Sequence, residues 1–235
     1  MRRSAALAAL TACAGGMDLL SITVLGGVFS GIITGNLVHA GHGLGTTHWP
    51  LAAIATGAVT AFATGVALAS RLMGPPHNQT QPRMRLQLAL QTTLVVLFAG
   101  LWALVHGKPP TPISLLLLAM ACLAMGAQSA WARQNGASTT YLTGTLTAAV
   151  TDTVTGQGLS RHRWALIRLA CLLVGAMTTT LALVWWTPPQ HWSRPPTPWG
   201  EHCCGGADTR PVPTTRKPTG RAHRYGPPPD RPTPA

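Results

Sequence analysis

The stretch LAAIATGAVTAFATGVALASRLM, residues 51–73, holds a single charge, Arg71, close to its end. A helix that crosses a bilayer needs about 20 mostly apolar residues, and this run is that long. Its remaining polar groups are hydroxyls, and its glycines and alanines are the small residues that let membrane helices approach closely. One such run could be the core helix of a soluble domain. The rest of the chain argues otherwise.

Four further runs of the same kind are present: Ser4 to Phe29, Leu86 to Val105, Ile113 to Ala132 and Trp164 to Trp186. The chain is 46% hydrophobic and only 9% charged, whereas soluble domains carry about 25% charge. Tryptophans at 49, 102, 131, 164, 185 and 186 fall near run ends, where an interfacial aromatic belt would lie. The expected fold class is all-α: a polytopic transmembrane helical bundle of about five spans. The lipid bilayer is its first partner. The net charge of +12 does not point to nucleic acid, because seven of the 17 Lys and Arg follow Trp186 and most of the rest sit in loops.

Loop charges predict an orientation. Arg2 and Arg3 begin the chain, residues 30–50 contain no Lys or Arg, and Arg71, Arg83 and Arg85 flank the next loop. Lys108 alone marks the loop after that, and Arg133, Arg161 and Arg163 mark the following one. Positive charge collects on the cytoplasmic side, so the N-terminus is expected in the cytoplasm. MRRSAALAALTAC could instead be a lipoprotein-type signal ending at Cys13, but the apolar sequence continues through MDLLSITVLGGVF, which favours a retained first span.

Two polar knots interrupt the apolar sequence. Thr34-Gly35-Asn36-Leu37 lines up with Thr143-Gly144-Thr145-Leu146, 109 positions later. Gly16-Met17-Asp18 precedes the first knot much as Gly126-Ala127-Gln128 precedes the second. Glycine weakens a helix by about 1 kcal/mol relative to alanine, so Gly35 and Gly144 are candidate helix breaks. Irregular backbone at membrane depth must be buried in protein or line a wet cavity. The expectation is two broken or re-entrant segments, facing each other inside the bundle, in an inverted repeat. Unit one covers about 4–106 and unit two about 112–186, in a transmembrane domain of residues 1–186. Residues 187–235, rich in Pro and Arg, read as a disordered tail.

These motifs resemble those of the YoaK family, uncharacterised bacterial multi-span membrane proteins. The first signature is carried by Gly15 or Gly16, Asp18, Phe29, Thr34, Gly35 and Asn36. The second is carried by Met125, Gly126, Gln128, Thr139, Thr140, Thr143, Gly144, Thr145, Leu146 and Thr147. The resemblance covers about Ala5 to Trp186 and implies a multi-pass protein of the bacterial inner membrane. There are departures: Ser129 stands where the family has Asn, and Ile33 where Met is common. The family's further hydrophobic helix after position 186 is replaced by the polar tail, so the chain reads as a truncated member. The tail's mixture of Pro, Arg, Trp, His and Cys resembles an out-of-frame reading of GC-rich sequence.

Asp18 is the acidic residue inside a predicted span. Intramembrane carboxylates are costly and often mark ion or proton paths; a structural carboxylate bonded to the knot or to a neighbouring helix is an equal alternative. Asn36 and Gln128 can bind a solute or join helices. Thr34, Thr143 and Thr145 can contact a ligand or bond back to their own helices, and Tyr141 can line a cavity or pack. His39, His42 and His48 lack the fixed fourth ligand of a metal site and read as solvated. Cys13, Cys122 and Cys171 read as small packing residues. Asp152 is expected to cap a helix or pair with Arg161 or Arg163. Arg168 can snorkel to the interface.

No nucleophile with its base, phosphate loop or carboxylate pair is present, and neither an enzyme nor a cofactor is expected. Inverted repeats with broken helices are typical of secondary transporters. The favoured function is a small secondary transporter or permease-like protein for an unknown small solute or ion. The alternative is a membrane subunit or scaffold. A homo-oligomer stays open.

Overall fold

The computed structural model describes residues 2–75, 80–135, 142–156 and 162–186. Among them are seven α-helices and no strand: α1 (Arg2–Leu20), α2 (Ile33–Gly45), α3 (Trp49–Met73), α4 (Gln81–Leu104), α5 (Thr111–Gln134), α6 (Leu142–Val154) and α7 (Arg163–Trp186). A π-helical turn, Ser21–Leu25, extends α1. Five segments are long and apolar enough to cross a membrane: Ser4–Leu25, α3, α4, α5 and Arg163–Trp185. The polytopic helical bundle is therefore as the sequence indicates, with the first span ending at Leu25 and not at Phe29. Tyr141, Thr139 and Thr140 lie outside the described residues, as does the tail after position 186.

Local chemistry sets the helix ends. α3, α4 and α5 each carry proline in the first turn, at Pro50, Pro82 and Pro112, where the missing N–H costs nothing. The first span stops at Gly26 and Gly27, both at positive φ, which glycine adopts without a Cβ penalty. Gly107, also at positive φ, closes the turn between α4 and α5.

The main packing pairs are α1 with α7 and α3 with α5, with α2 on α3, α4 on α5 and α6 on α7. The two leading pairs are built alike. Gly15 lies against Leu172 and Gly175 against Ala12; Gly126 lies against Phe62 and Gly65 against Leu123. In each case a Cβ would collide with a backbone carbonyl, so the backbones meet without side chains between them, as in small-residue membrane interfaces. Gly65 and Gly175 are 110 positions apart, and so are Phe62 and Leu172. α1 thus meets α7 much as α5 meets α3.

The two short helices correspond as well. α2 and α6 each have 13 residues, about 20 Å at 1.5 Å per residue, which is too short to cross the roughly 30 Å hydrocarbon layer. The polar knots do not break long helices. Each occupies the second to fourth positions of a separate short helix, after Ile33 and Leu142.

Candidate functional site

The site begins at Asp18, seven residues before the end of the first span. Seven residues of helix rise about 10 Å. Asp18 Oδ1 nevertheless accepts hydrogen bonds from Ser30 Oγ–H at 2.8 Å and from Gly31 N–H at 2.7 Å. Residues 26–31 must therefore return along α1 by the same distance, and the chain re-enters before α2 starts. Asp18, Ser30 and Gly31 are all buried. Two charge-assisted bonds, each worth about 1.5–3 kcal/mol, offset an insertion cost of about 2.5–3.5 kcal/mol for a central carboxylate. The carboxylate also faces the amino end of α2, whose helix dipole favours negative charge.

Asn36 secures the other end of this hairpin. Its Oδ1 accepts from Phe29 N–H at 2.8 Å and its Nδ2 donates to Phe29 O at 2.7 Å. One side chain thereby satisfies both polar groups of a residue that belongs to no helix. Gly35 leaves room for the Phe29 ring, which would lie 3.0 Å from a Cβ at that position. The Phe29 ring also stacks on His39 with ring centroids 6.1 Å apart. Cys122 of α5 approaches Phe29 O, so the hairpin tip rests on the second half of the chain.

Ser21 stands at the start of the π-helical turn, three residues after Asp18. Residues three apart share a helix face, with Cβ atoms about 5–6 Å apart. The Ser21 hydroxyl is fully buried and has no hydrogen-bond partner among the described residues. Such π-helical turns are often found at functional sites.

Gln128 lies elsewhere. Its Nε2 donates to Leu10 O at 2.8 Å, and its Oε1 accepts from Gln91 Nε2 at 3.0 Å. The Leu10 carbonyl can only accept, so it fixes the orientation of both amides. Gln87 Nε2 donates to Ala127 O at 3.0 Å. Gln128 thus joins α5 to α1 and α4 and does not reach the hairpin.

Among the expected site residues, the structure brings together Asp18 and Asn36, through Ser30, Gly31 and Phe29. Thr34, Thr143 and Gly144 lie on exposed faces, and the Thr145 side chain is outside what is described. α2 packs on α3 and α6 on α7, so the picture of two knots facing each other inside the bundle is replaced by one pinned hairpin. Among the described residues Asp152 pairs with His162, at 2.7 Å, and not with Arg163; Arg161 lies outside them. Arg168 Nε donates to Trp164 O at 3.3 Å, one turn back along α7. Sequence reasoning missed Ser21, Ser30, Gly31, Gln87 and Gln91. The two glutamines had a visible signal in LQLALQ, residues 86–91, since polar groups four apart in an apolar run share one helix face.

Comparison with known proteins agrees with this architecture. The chain is 30% identical over 154 residues to the UPF0700 transmembrane protein YoaK of Bacillus subtilis (strain 168), covering 64% of this chain and 67% of that protein. No solved structure matches. Residues 6–193 match the family described as "Protein of unknown function (DUF1275)". With its five candidate spans and a membrane relative over most of their length, this chain is a multi-pass membrane protein and a member of the DUF1275 family.

Proposed function

We propose that the protein is a small secondary transporter whose coupling site is Asp18, and that it binds a proton or small cation there. The observation that carries this reading is a buried carboxylate beside a buried, unpaired hydroxyl, Ser21, at the point where a re-entrant hairpin meets a spanning helix. Discontinuous helices at the interface of two repeats are where transporters hold ions and substrates. The amino end of α2 is occupied by the chain's own carboxylate, which disfavours an anion at this point. A cation or proton would neutralise it and weaken its hold on Gly31.

In this reading the correspondence between the α1–α7 and α5–α3 crossings reflects an inverted repeat, with α2 and α6 as its half-helices. This reading places the N-terminus in the cytoplasm and the protein in the inner membrane; what supports the orientation is that the basic residues Arg71, Arg83, Arg85, Arg133 and Arg163 all fall at the end of the bundle where α1 starts.

A second reading has its own support. Asp18 Oδ1 and both polar atoms of Asn36 are engaged within the hairpin, as a purely structural lock would have them. Proton and sodium fluxes into proteoliposomes separate the two. Fluxes present in wild type and lost in Asp18→Asn, with the fold intact, support transport. Rates equal to protein-free vesicles for both proteins support a scaffold.

A further inference from the structure

Between α4 and α5, towards the end of the bundle where α1 starts, three buried polar groups lack partners. Gln87 is 2% exposed, Gln91 4% and Trp131 5%. Gln87 Oε1, Gln91 Oε1 and Trp131 Nε1 have no hydrogen-bond partner among the described residues. The direction of both amides is fixed. Gln87 Nε2 donates to the Ala127 carbonyl, and Gln91 Nε2 donates to Gln128, whose own Nε2 donates to the Leu10 carbonyl. Turning either amide round would set oxygen against oxygen, so each is left with an unfilled acceptor. Gln87 and Gln91 are one turn apart on one face of α4, and Trp131 is one turn past Ala127 on α5. A polar group buried without a partner gives up its hydration and gains nothing in return. Holding this seam shut are Met84 and Leu88 of α4, which pack against an apolar cluster that includes Leu7, Met73 and Trp131.

We propose that α4 parts from α5 at this end and that the seam then takes up water, so that the bundle alternates between this closed, dry packing and an open, hydrated one. Apolar contact of Met84 and Leu88 favours the closed form. Hydration of two amide oxygens and an indole N–H favours the open one. Opposed forces of this kind are the condition for two populated packings. The part that moves is α4. Gly65 and Gly126 bring the backbones of α3 and α5 together, and Gly15 and Gly175 do the same for α1 and α7, whereas nothing lies within 4 Å of a Cβ at Gly100 of α4. Gly74 follows α3 and Gly107 follows α4, both at positive φ, and hinge motions are absorbed by a few such residues at element ends. Neither α4 nor α5 holds an Asp or Glu, so the guest is neutral water and not a cation without a counter-charge. Gln91 is ten residues past Gln81, about 15 Å along the helix. The open seam is therefore a wet cleft that reaches about half-way through the roughly 30 Å hydrocarbon layer. This inference does not depend on the reading of Asp18.

Hydrogen exchange at Trp131 tests it in the full chain in lipid nanodiscs. Protein with isotope-labelled tryptophan is moved into heavy water, and the indole and backbone N–H signals of Trp131, assigned with Trp131→Phe, are followed by NMR. The backbone N–H lies within α5 and exchanges only when that helix unfolds, so it serves as the internal reference. Relative to the same group in an unfolded peptide, the indole is expected to be protected at least about tenfold less than the backbone N–H, because a local opening exposes the one and not the other. Equal protection of the two overturns the proposal: the seam then opens only with the helix, and its polar groups stay dry. Gln87→Leu, and Gln87→Met as an unbranched match in shape, remove one unfilled acceptor and leave the Ala127 carbonyl its helix partner. Each is expected to raise indole protection about tenfold and to leave the backbone N–H unchanged. Indole exchange that neither variant slows also overturns the proposal. The wild-type comparison decides by itself if a variant fails to fold.

Discussion

Asn36 holds Phe29 by two hydrogen bonds, one to its N–H at 2.8 Å and one to its carbonyl at 2.7 Å. This side chain replaces the backbone partners that a residue outside regular structure lacks. Removing it strands two polar groups at once, and each stranded group costs about 1–3 kcal/mol. Asn36→Ala should destabilise the protein by about 2–4 kcal/mol in thermal unfolding in detergent. Asn36→Asp, which keeps the acceptor and loses the donor, should fall between the two. An unchanged midpoint for Asn36→Ala would show that the hairpin is held by other contacts.

The glycine crossings predict a sharp contrast among similar substitutions. Gly175→Ala or Gly126→Ala drives a methyl into a facing backbone carbonyl, whereas nothing lies within 4 Å of a Cβ at Gly100 or Gly57. The first two should lose at least about 1–3 kcal/mol of stability by overpacking. Gly100→Ala and Gly57→Ala should be neutral or slightly stabilising, because alanine is the better helix former. Equal behaviour of the four variants would contradict the close approach of α1 to α7 and of α3 to α5.

The amide relay makes a double-mutant prediction. Gln128→Leu strands the Gln91 amide and removes the side-chain bond to the Leu10 carbonyl, which keeps its own helix partner, and should cost about 2 kcal/mol. Gln91→Leu removes one bond and an already unpaired oxygen, and should cost less. Once Gln91 is leucine, Gln128→Leu should cost less than it does alone. Strict additivity would show that the two amides do not interact.

Much of this architecture could be read from the sequence because membrane crossing imposes length and composition. The ends of α3, α4, α5 and α7 fall within five residues of those of the apolar runs at 51–73, 86–105, 113–132 and 164–186. The knots were legible as special places because threonine, glycine and asparagine are poor company for an apolar run. Their roles were not legible. That Asn36 reaches back to Phe29, and Asp18 forward to Ser30 and Gly31, depends on the chain reversing after Gly26 and Gly27. No periodicity encodes that return. Likewise the pairing of Asp152 with the imidazole of His162 had no signal in the spacing of the sequence.

Ser21 separates a working site from a structural lock. Its hydroxyl is buried without a partner, and removing an unsatisfied buried group is close to neutral for stability. Ser21→Ala should therefore unfold at the wild-type midpoint or slightly above it, while proton or sodium flux falls by about tenfold, the effect of losing about 1.4 kcal/mol of ion or transition-state binding. Loss of stability without a change in flux would place Ser21 in packing alone.

The most direct measurement is the reactivity of Asp18 with a membrane-permeant carbodiimide, which modifies a buried carboxyl group when it is protonated. Intact membranes would be treated across a range of pH, with and without sodium, and the modified residue identified by peptide mass. Asp18 is expected to be labelled, with labelling that falls as pH rises or as sodium is added and is abolished by Asp18→Asn. An Asp18 that never reacts at any pH in a folded protein would contradict the account and leave the carboxylate as a lock on the hairpin.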